Sequence, residues 1–501
     1  MNLLKTLTVG VLAAAIPSMA PAALTVIHIT GSTAFRAPTT AAIINALGGS
    51  SCKAAYAGSS LLKATSAILA NGTLGASGTA TIAFEANWTG SLSGVVDVAT
   101  QNPLAFPDET NSANQTALNG STVTSSPYGG GAALPASFAV ATLAPDVCMS
   151  DAFASSAASA LATAQISGSI TGGATTGSQL AAQINAAALQ EAGSASPIVG
   201  SGTSTGYLGI VPFQWVIGNL SGVTAPTNIT QQAATFLIKN GYIPMSMLSK
   251  VSGDSFSSGD FAYLVGRNED SGTRIDAFAE PQLGFVQNPQ QYLLTFSGGT
   301  NTTDIPTPTD FTQIGGSTAL VETMNTWPAS ASLNTEPHIN WSNAGGGHGG
   351  YAGGGDVASV LSTPVDQNNI GGSGFAGENS GKVYFIGYLG ISDSGAFGNA
   401  TKVTGGQALT YNGVIASTAG VQNGSYSFWS YEHMYYLSSL STTAKNIINP
   451  IANSIATTYA NYDSGGASAP TTDAAGVILS TNGTAGTVSR TVEGGFYQLN
   501  Y

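Results

Sequence analysis

The sequence predicts an α/β protein, on three observations. Short β-branched, apolar runs alternate along the chain with segments of helical apolar spacing. Turns rich in Gly, Ser and Thr separate the two kinds of segment. Hydrophobic residues make up 43% of 501 positions, enough for a large core in two or more lobes.

The elements follow in order. Residues 1–22 predict a signal peptide: Lys5 supplies the charge, residues 7–16 a short apolar core, and Ala20 and Ala22 the small residues before a cleavage point. That core is too short to span a membrane, and no later run is long and apolar enough, so no membrane span is expected once it is removed. Residues 24–30 read as a buried strand, broken at Gly31-Ser32-Thr33 and followed by a helix over 39–47. A strand is expected over 79–85, then a small polar turn, Gly90-Ser91-Leu92-Ser93-Gly94, entering an apolar stretch. Residues 100–135 read as a long surface excursion. Strand character returns over 137–149, a helix is expected over 179–190, a strand over 206–217, and a helix with its exit within 231–248. Residues 261–265 predict a strand, 275–279 a helix, 382–390 a strand, and 428–440 an aromatic segment leading into a helix through 451. Segments 296–316 and 341–356 read as loops, and 471–501 as a hairpin or an irregular tail.

Charge is scarce. The chain carries 12 Lys+Arg against 25 Asp+Glu, a net charge of −13, with 7% of residues charged. Such a surface has little general attraction for anions, which argues against nucleic acid and anionic membranes as partners. It suits a periplasmic or secreted protein. Cys52 and Cys148 either form one disulfide or remain two buried thiols. His28, His338, His348 and His433 are scattered, so no metal site is argued and no cofactor is expected.

Against that background, two of the four arginines bracket one run, Arg267-Asn268-Glu269-Asp270-Ser271-Gly272-Thr273-Arg274. Guanidinium groups, hydroxyls and a glycine in one turn offer fixed charge and converging donors to a small oxyanion. The plainer alternative pairs Arg267 and Arg274 with Glu269, Asp270 or Asp276 on a solvated turn. Asp151 can equally cap a helix, as can Ser91 and Ser93. Gly345-Gly346-Gly347-His348-Gly349-Gly350 lacks the Lys-Ser/Thr of a phosphate loop and reads as a flexible loop. Trp429, Tyr431, Tyr435 and Tyr436 read as core or hinge packing.

Taken in order, Thr30-Gly31-Ser32-Thr33-Ala34-Phe35-Arg36-Ala37-Pro38, Gly90-Ser91-Leu92-Ser93-Gly94-Val95, Ser150-Asp151-Ala152 and Arg267 through Thr273 resemble the phosphate-binding proteins of ABC transporters. The resemblance spans residues 24–280 and, more loosely, 384–390 and 423–436. It implies a two-lobed type II periplasmic-binding-protein fold with a hinge and long loop insertions, lobe one at 23–215 plus 430–501 and lobe two at 216–429. It implies inorganic phosphate as ligand, an ABC transporter permease as partner, and no enzymatic activity. Arg267 matches the arginine that holds the anion. Ser271, Gly272 and Thr273 match the donors at a helix start, Ser91 a hydroxyl donor, Phe35 a backbone N–H, and Asp151 the acceptor that takes a proton-bearing phosphate and rejects sulfate. Ala34 stands where the family commonly has threonine, and Arg36 where a small residue or proline is usual. Arg36 then either adds charge to the site or points outward, and Arg274 is expected to support the site or edge the cleft.

Two other classes stay open. A secreted or cell-surface structural protein could keep the fold without transport. A phosphate-ester hydrolase could share an oxyanion site, although no serine sits in a nucleophile motif.

Overall fold

The computed structural model describes residues 23–124, 128–162, 166–167, 172–193, 207–220, 222–248, 253–254, 256–284, 289–297, 321–326, 340–341, 349–351, 353–363, 381–394, 403–459, 488–489 and 498–499. The expected signal peptide, His338, His348 and most of the loops 296–316 and 341–356 lie outside the described residues.

The chain begins with strand β1 (Thr25–Gly31), helix α1 (Arg36–Ala46), strands β2 (Lys53–Ala57), β3 (Ser66–Ala70) and β4 (Ile82–Asn87), and helix α2 (Ser91–Thr100). Then come β5 (Val147–Ser150) and α3 (Ala154–Leu161), the long strand β6 (Tyr207–Gly218), α4 (Gln231–Asn240), β7 (Tyr242–Pro244), β8 (Phe261–Leu264) and α5 (Gly272–Ala279). Strands β9 (Val383–Gly390) and β10 (Trp429–Leu437) and helix α6 (Thr442–Ser454) complete the frame. Ten strands lie in one mixed sheet in the order β7-β8-β9-β6-β10-β5-β1-β4-β3-β2, with short strands added to make 13 among the described residues. The α/β class read from the alternation is the class observed.

The centre of the sheet explains its two flanks. All of β6 is buried, which fits a strand covered on both faces. Its first half pairs with β10, ending at Pro212 opposite Trp429, and its second half pairs with β9, starting at Phe213 opposite Gly390. Pro212 has no N–H to give a ladder, and it stands where one pairing hands over to the next. On one side, β5, β1 and β4 run parallel to one another; on the other, β8 and β9 are parallel. β6 and β10 are the antiparallel pair between the flanks. The stacked rings of Tyr207 and Tyr431, 3.9 Å apart, pack on this pair, so the aromatic segment is core of the central strands.

Several local readings change. The excursion 100–135 contains a helix, Ser112–Asn119, because Asn111 caps its first turn by accepting from Ala113 and Asn114 N–H groups. The helix expected over 179–190 occupies Gly177–Ala186 and gives way to a strand, Leu189–Glu191, that pairs with β10. Part of the loop 341–356 opens a helix, Gly354–Ser362, held by the Asp356 carboxylate accepting from the Gly353 N–H at 2.9 Å. In the tail, Val488–Ser489 pairs antiparallel with Gln498–Leu499, as a hairpin requires. Cys52 and Cys148 are both free and buried, so the second of the two cysteine readings is the one observed. Cys52 lies just before β2, at the far side of the flank, whereas Cys148 is inside β5 against α2.

A partly buried charge cluster is built around His28 of β1. His28 Nδ1 is 3.0 Å from Asp146 and Nε2 is 3.2 Å from Glu85. Burial opposes charge on His28, but its bonds to Asp146 and Glu85 outweigh it and push the imidazole up to about 9. Burial pushes Glu85 up to about 7, against the attraction of His28. Both groups hold a proton more tightly in the fold than in the unfolded chain. Stability without added anion is therefore expected to be highest in mild acid and to fall as pH rises through about 7 and then about 9. Thermal unfolding against pH checks this, and His28→Gln should flatten the alkaline part of the decline.

Candidate anion-binding site

Three helices start where strands of the two flanks end: α1 after β1 and α2 after β4 on one flank, and α5 after β8, which runs the opposite way, on the other. Their N-cap residues Phe35, Gly90 and Ser271 give no side-chain acceptor to the first turn. Asn111, Thr176, Thr230, Ser417 and Ser441 do so for other helices of the chain. A helix start without a side-chain cap keeps its donors and its positive end for another partner.

The flanks touch at these starts. The Leu92 N–H at the head of α2 donates to the Asp270 carbonyl at 3.0 Å. Gly90, with φ of 113°, must be glycine there, because a Cβ would also lie 2.8 Å from the same carbonyl oxygen. Gly272 opens α5 directly against Asp151, and a Cβ on it would lie 1.8 Å from Asp151 Oδ1. Gly272→Ala is thus expected to wedge the flanks apart and weaken anion binding by about tenfold or more, with a smaller loss of thermal stability. Titration with phosphate beside a melting curve checks that separation of effects.

Asp151 is the centre of the contact. It is buried, the Ser91 hydroxyl donates to its Oδ1, and the Thr273 hydroxyl donates to its Oδ2 at 3.2 Å. The Ser430 hydroxyl donates to its carbonyl. Burial pushes the carboxyl up, while Ser91, Arg267 and Thr273 pull it back. The capping reading does not hold, because α3 starts later, with Phe153 as its N-cap. Ser91 and Ser93 separate: Ser93 bonds back to the Thr89 carbonyl at 2.9 Å, whereas Ser91 reaches Asp151.

Arg267 is 5% exposed, so the solvated-turn reading fails for it and for Arg274, at 4%. The Arg267 backbone N–H donates to Tyr388 Oη at 3.1 Å, and its Nε donates to the Tyr351 carbonyl at 3.2 Å. Arg274 Nη1 and Gln291 Nε2 donate to the Arg267 carbonyl, at 3.1 and 3.0 Å. Arg274 therefore braces the loop that carries Arg267. Its guanidinium also lies 5.3 Å from the Phe278 ring centroid.

The structure brings Ser91, Asp151, Arg267, Gly272 and Thr273 together. Ser271 is buried as the N-cap of α5, where its backbone bonds to Asn268 and Arg274. Phe35 is the N-cap of α1, with its ring fully buried in the core. Arg36 turns inward: burial lowers its guanidinium to about 10, with Asp393 opposing and Arg267 adding to that shift. Asp356 also feels Arg267. Glu432, fully buried on β10, feels Asp151 and Ser32.

No protein-family model matches the chain, and no curated protein matches it significantly. Its fold has solved neighbours. A phosphate ABC transporter substrate-binding protein with bound phosphate from Clostridium perfringens is 13% identical, with a TM-score of 0.33, covering 85% of this chain and 93% of that one. An ABC-type phosphate transport receptor from Vibrio cholerae is 9% identical, with a TM-score of 0.33 and the same coverage of each chain. A possible phosphate-binding protein from Planctomyces limnophilus is 9% identical, with a TM-score of 0.31, covering 88% of this chain and 90% of that one.

Asp356, Asp393 and Glu432 escaped the sequence reading. Glu432 had a signal, since it is a lone acid inside Trp429-Ser430-Tyr431-Glu432-His433-Met434-Tyr435-Tyr436 in a chain with 7% charged residues. Among the described residues, no group of His, Cys, Asp and Glu could hold a metal, and no helix is long and apolar enough to cross a membrane.

Proposed function

We propose that the chain binds inorganic phosphate, or a similar tetrahedral oxyanion, between two lobes outside the cytoplasm, and passes it to an ABC transporter permease. One observation carries the reading: buried Arg267 and Asp151 come from opposite flanks and meet beside helix starts that have no side-chain caps. Lobe one is residues 23–215 plus 430–501 and lobe two 216–429, with β6 and β10 as the hinge. The change of partner along β6 at Pro212 supports this division.

Each named residue then has a task. The Arg267 fork takes two anion oxygens. The N–H groups of Phe35 and Gly272 add donors, Ser91 and Thr273 turn their hydroxyls from Asp151 to the anion when it binds, and Ser271, its N–H held by the Asn268 carbonyl, fixes the start of α5. Asp151 accepts from a P–O–H, which sulfate at neutral pH does not offer. Such a site works through fixed dipoles in a dry cleft more than through net charge, as a chain of net charge −13 requires.

Thermal unfolding tests the proposal. Phosphate at a hundred times its dissociation constant should stabilise the fold by about 2.7 kcal/mol, and sulfate at the same concentration by far less. Equal shifts from both anions would point to a general salt effect. Phosphate binding without rescue of phosphate uptake in cells lacking their own binding protein would favour a secreted or cell-surface role.

A further inference from the structure

We infer that Glu432 is a ligand-binding residue of this site, its carboxyl making a hydrogen bond to the bound anion beside Asp151. The inference rests on the anion-binding reading above.

Register places the residue. His433 pairs with Ser150 across β10 and β5, so Glu432 stands level with Asp151, one step beyond the last pair of the ladder. Successive side chains of a strand alternate faces. Tyr431 and His433 turn one way, into the aromatic group with Phe153 and Tyr207. Ser430 and Glu432 turn the other way, and there Ser430 bonds to the Asp151 carbonyl. Ser32, in the turn before α1, donates its backbone N–H to the Met149 carbonyl at 2.8 Å, and its side chain lies against Glu432.

Satisfaction of polar atoms gives the second observation. Glu432 is 0% and Ser32 1% exposed. Both carboxyl oxygens of Glu432 and the Ser32 hydroxyl are buried and face each other, the Ser32 hydroxyl approaching the carboxyl short of full hydrogen-bond geometry. Buried polar atoms without partners are costly and uncommon in native proteins. Such a pair, level with Asp151, fits a ligand that brings an oxygen between the two groups. A tetrahedral oxyanion has oxygens to spare for Arg267 and for this corner.

The groups facing Glu432 set its protonation. Burial is the largest influence and Asp151 the next, and both hold the proton on, while Ser32 opposes them weakly. Cys148, inside β5, senses Glu432 from the same sheet and is itself kept as a thiol by burial. His433 faces away, 3.3 Å from Glu191. Ionising Glu432 would set a second negative charge beside Asp151 and the anion, so affinity should fall as pH rises through its titration.

Calorimetric titration with inorganic phosphate, from about pH 6 to pH 9 and in buffers of different ionisation enthalpy, tests this on the full chain. Glu432→Met should weaken binding by about tenfold or more, the loss of one hydrogen bond to a charged acceptor. Glu432→Gln keeps a donor and the shape. It should bind within about threefold of the native protein at the acid end, lose less affinity at the alkaline end, and take up fewer protons. Phosphate's own ionisation is common to both proteins and cancels. An unchanged pH profile and proton uptake in Glu432→Gln would overturn the inference and leave the anion site standing. No phosphate heat from the native protein would overturn both.

Discussion

Replacing Arg267 with alanine is expected to weaken phosphate binding by at least about a hundredfold, because it removes a buried charge that the remaining donors cannot replace. Asp151 and Asp356 both feel this guanidinium, so its loss leaves buried carboxyls facing an incoming anion without their counter-charge. Arg267→Lys should recover only part of the affinity, since an ammonium gives a point charge where the guanidinium gives a fork. Arg274→Ala should cost less, because Arg274 acts on the Arg267 carbonyl. A melting curve of each variant separates binding from folding: the Arg267 variants should still unfold cooperatively.

Asp151→Asn should change selectivity more than affinity. With an amide in place of the carboxyl, sulfate gains a donor and loses a repulsive neighbour, and the phosphate preference should shrink by about ten- to a hundredfold. The carboxyl carries its own pH signature. Burial raises it, so the native protein should accept sulfate better at low pH, where Asp151 holds its proton, and reject it as pH rises. Asp151→Asn should lose that dependence. Competition of sulfate against phosphate at several pH values reads both effects.

Much of this arrangement was legible in the sequence because local chemistry dictated it. Buried strands such as β6 and β9 announce themselves as apolar runs, and Gly31, Gly90 and Gly272 mark the turns where helices begin. The run from Arg267 to Arg274 stood out because arginine is so rare here. What sequence could not give was register. Glu432 becomes a neighbour of Asp151 only when β10 pairs with β5 across more than 280 positions of chain. Arg36 is the first residue of α1, and its surroundings are set by Asp393, which attracts it, and Arg267, which repels it, both arriving from the other flank. The helix at Ser112–Asn119 was hidden for another reason: its polar, Asn-rich sequence looks like a loop until Asn111 is seen to cap it.

The central claim is that phosphate binds between the two flanks and that Asp151 tells it from sulfate. Calorimetric titration of the purified chain with each anion at neutral pH tests this most directly. The account predicts saturable heat with phosphate at one site per chain, and sulfate weaker by about a hundredfold or more. No heat with phosphate up to millimolar concentration, or equal affinity for the two anions, would contradict it.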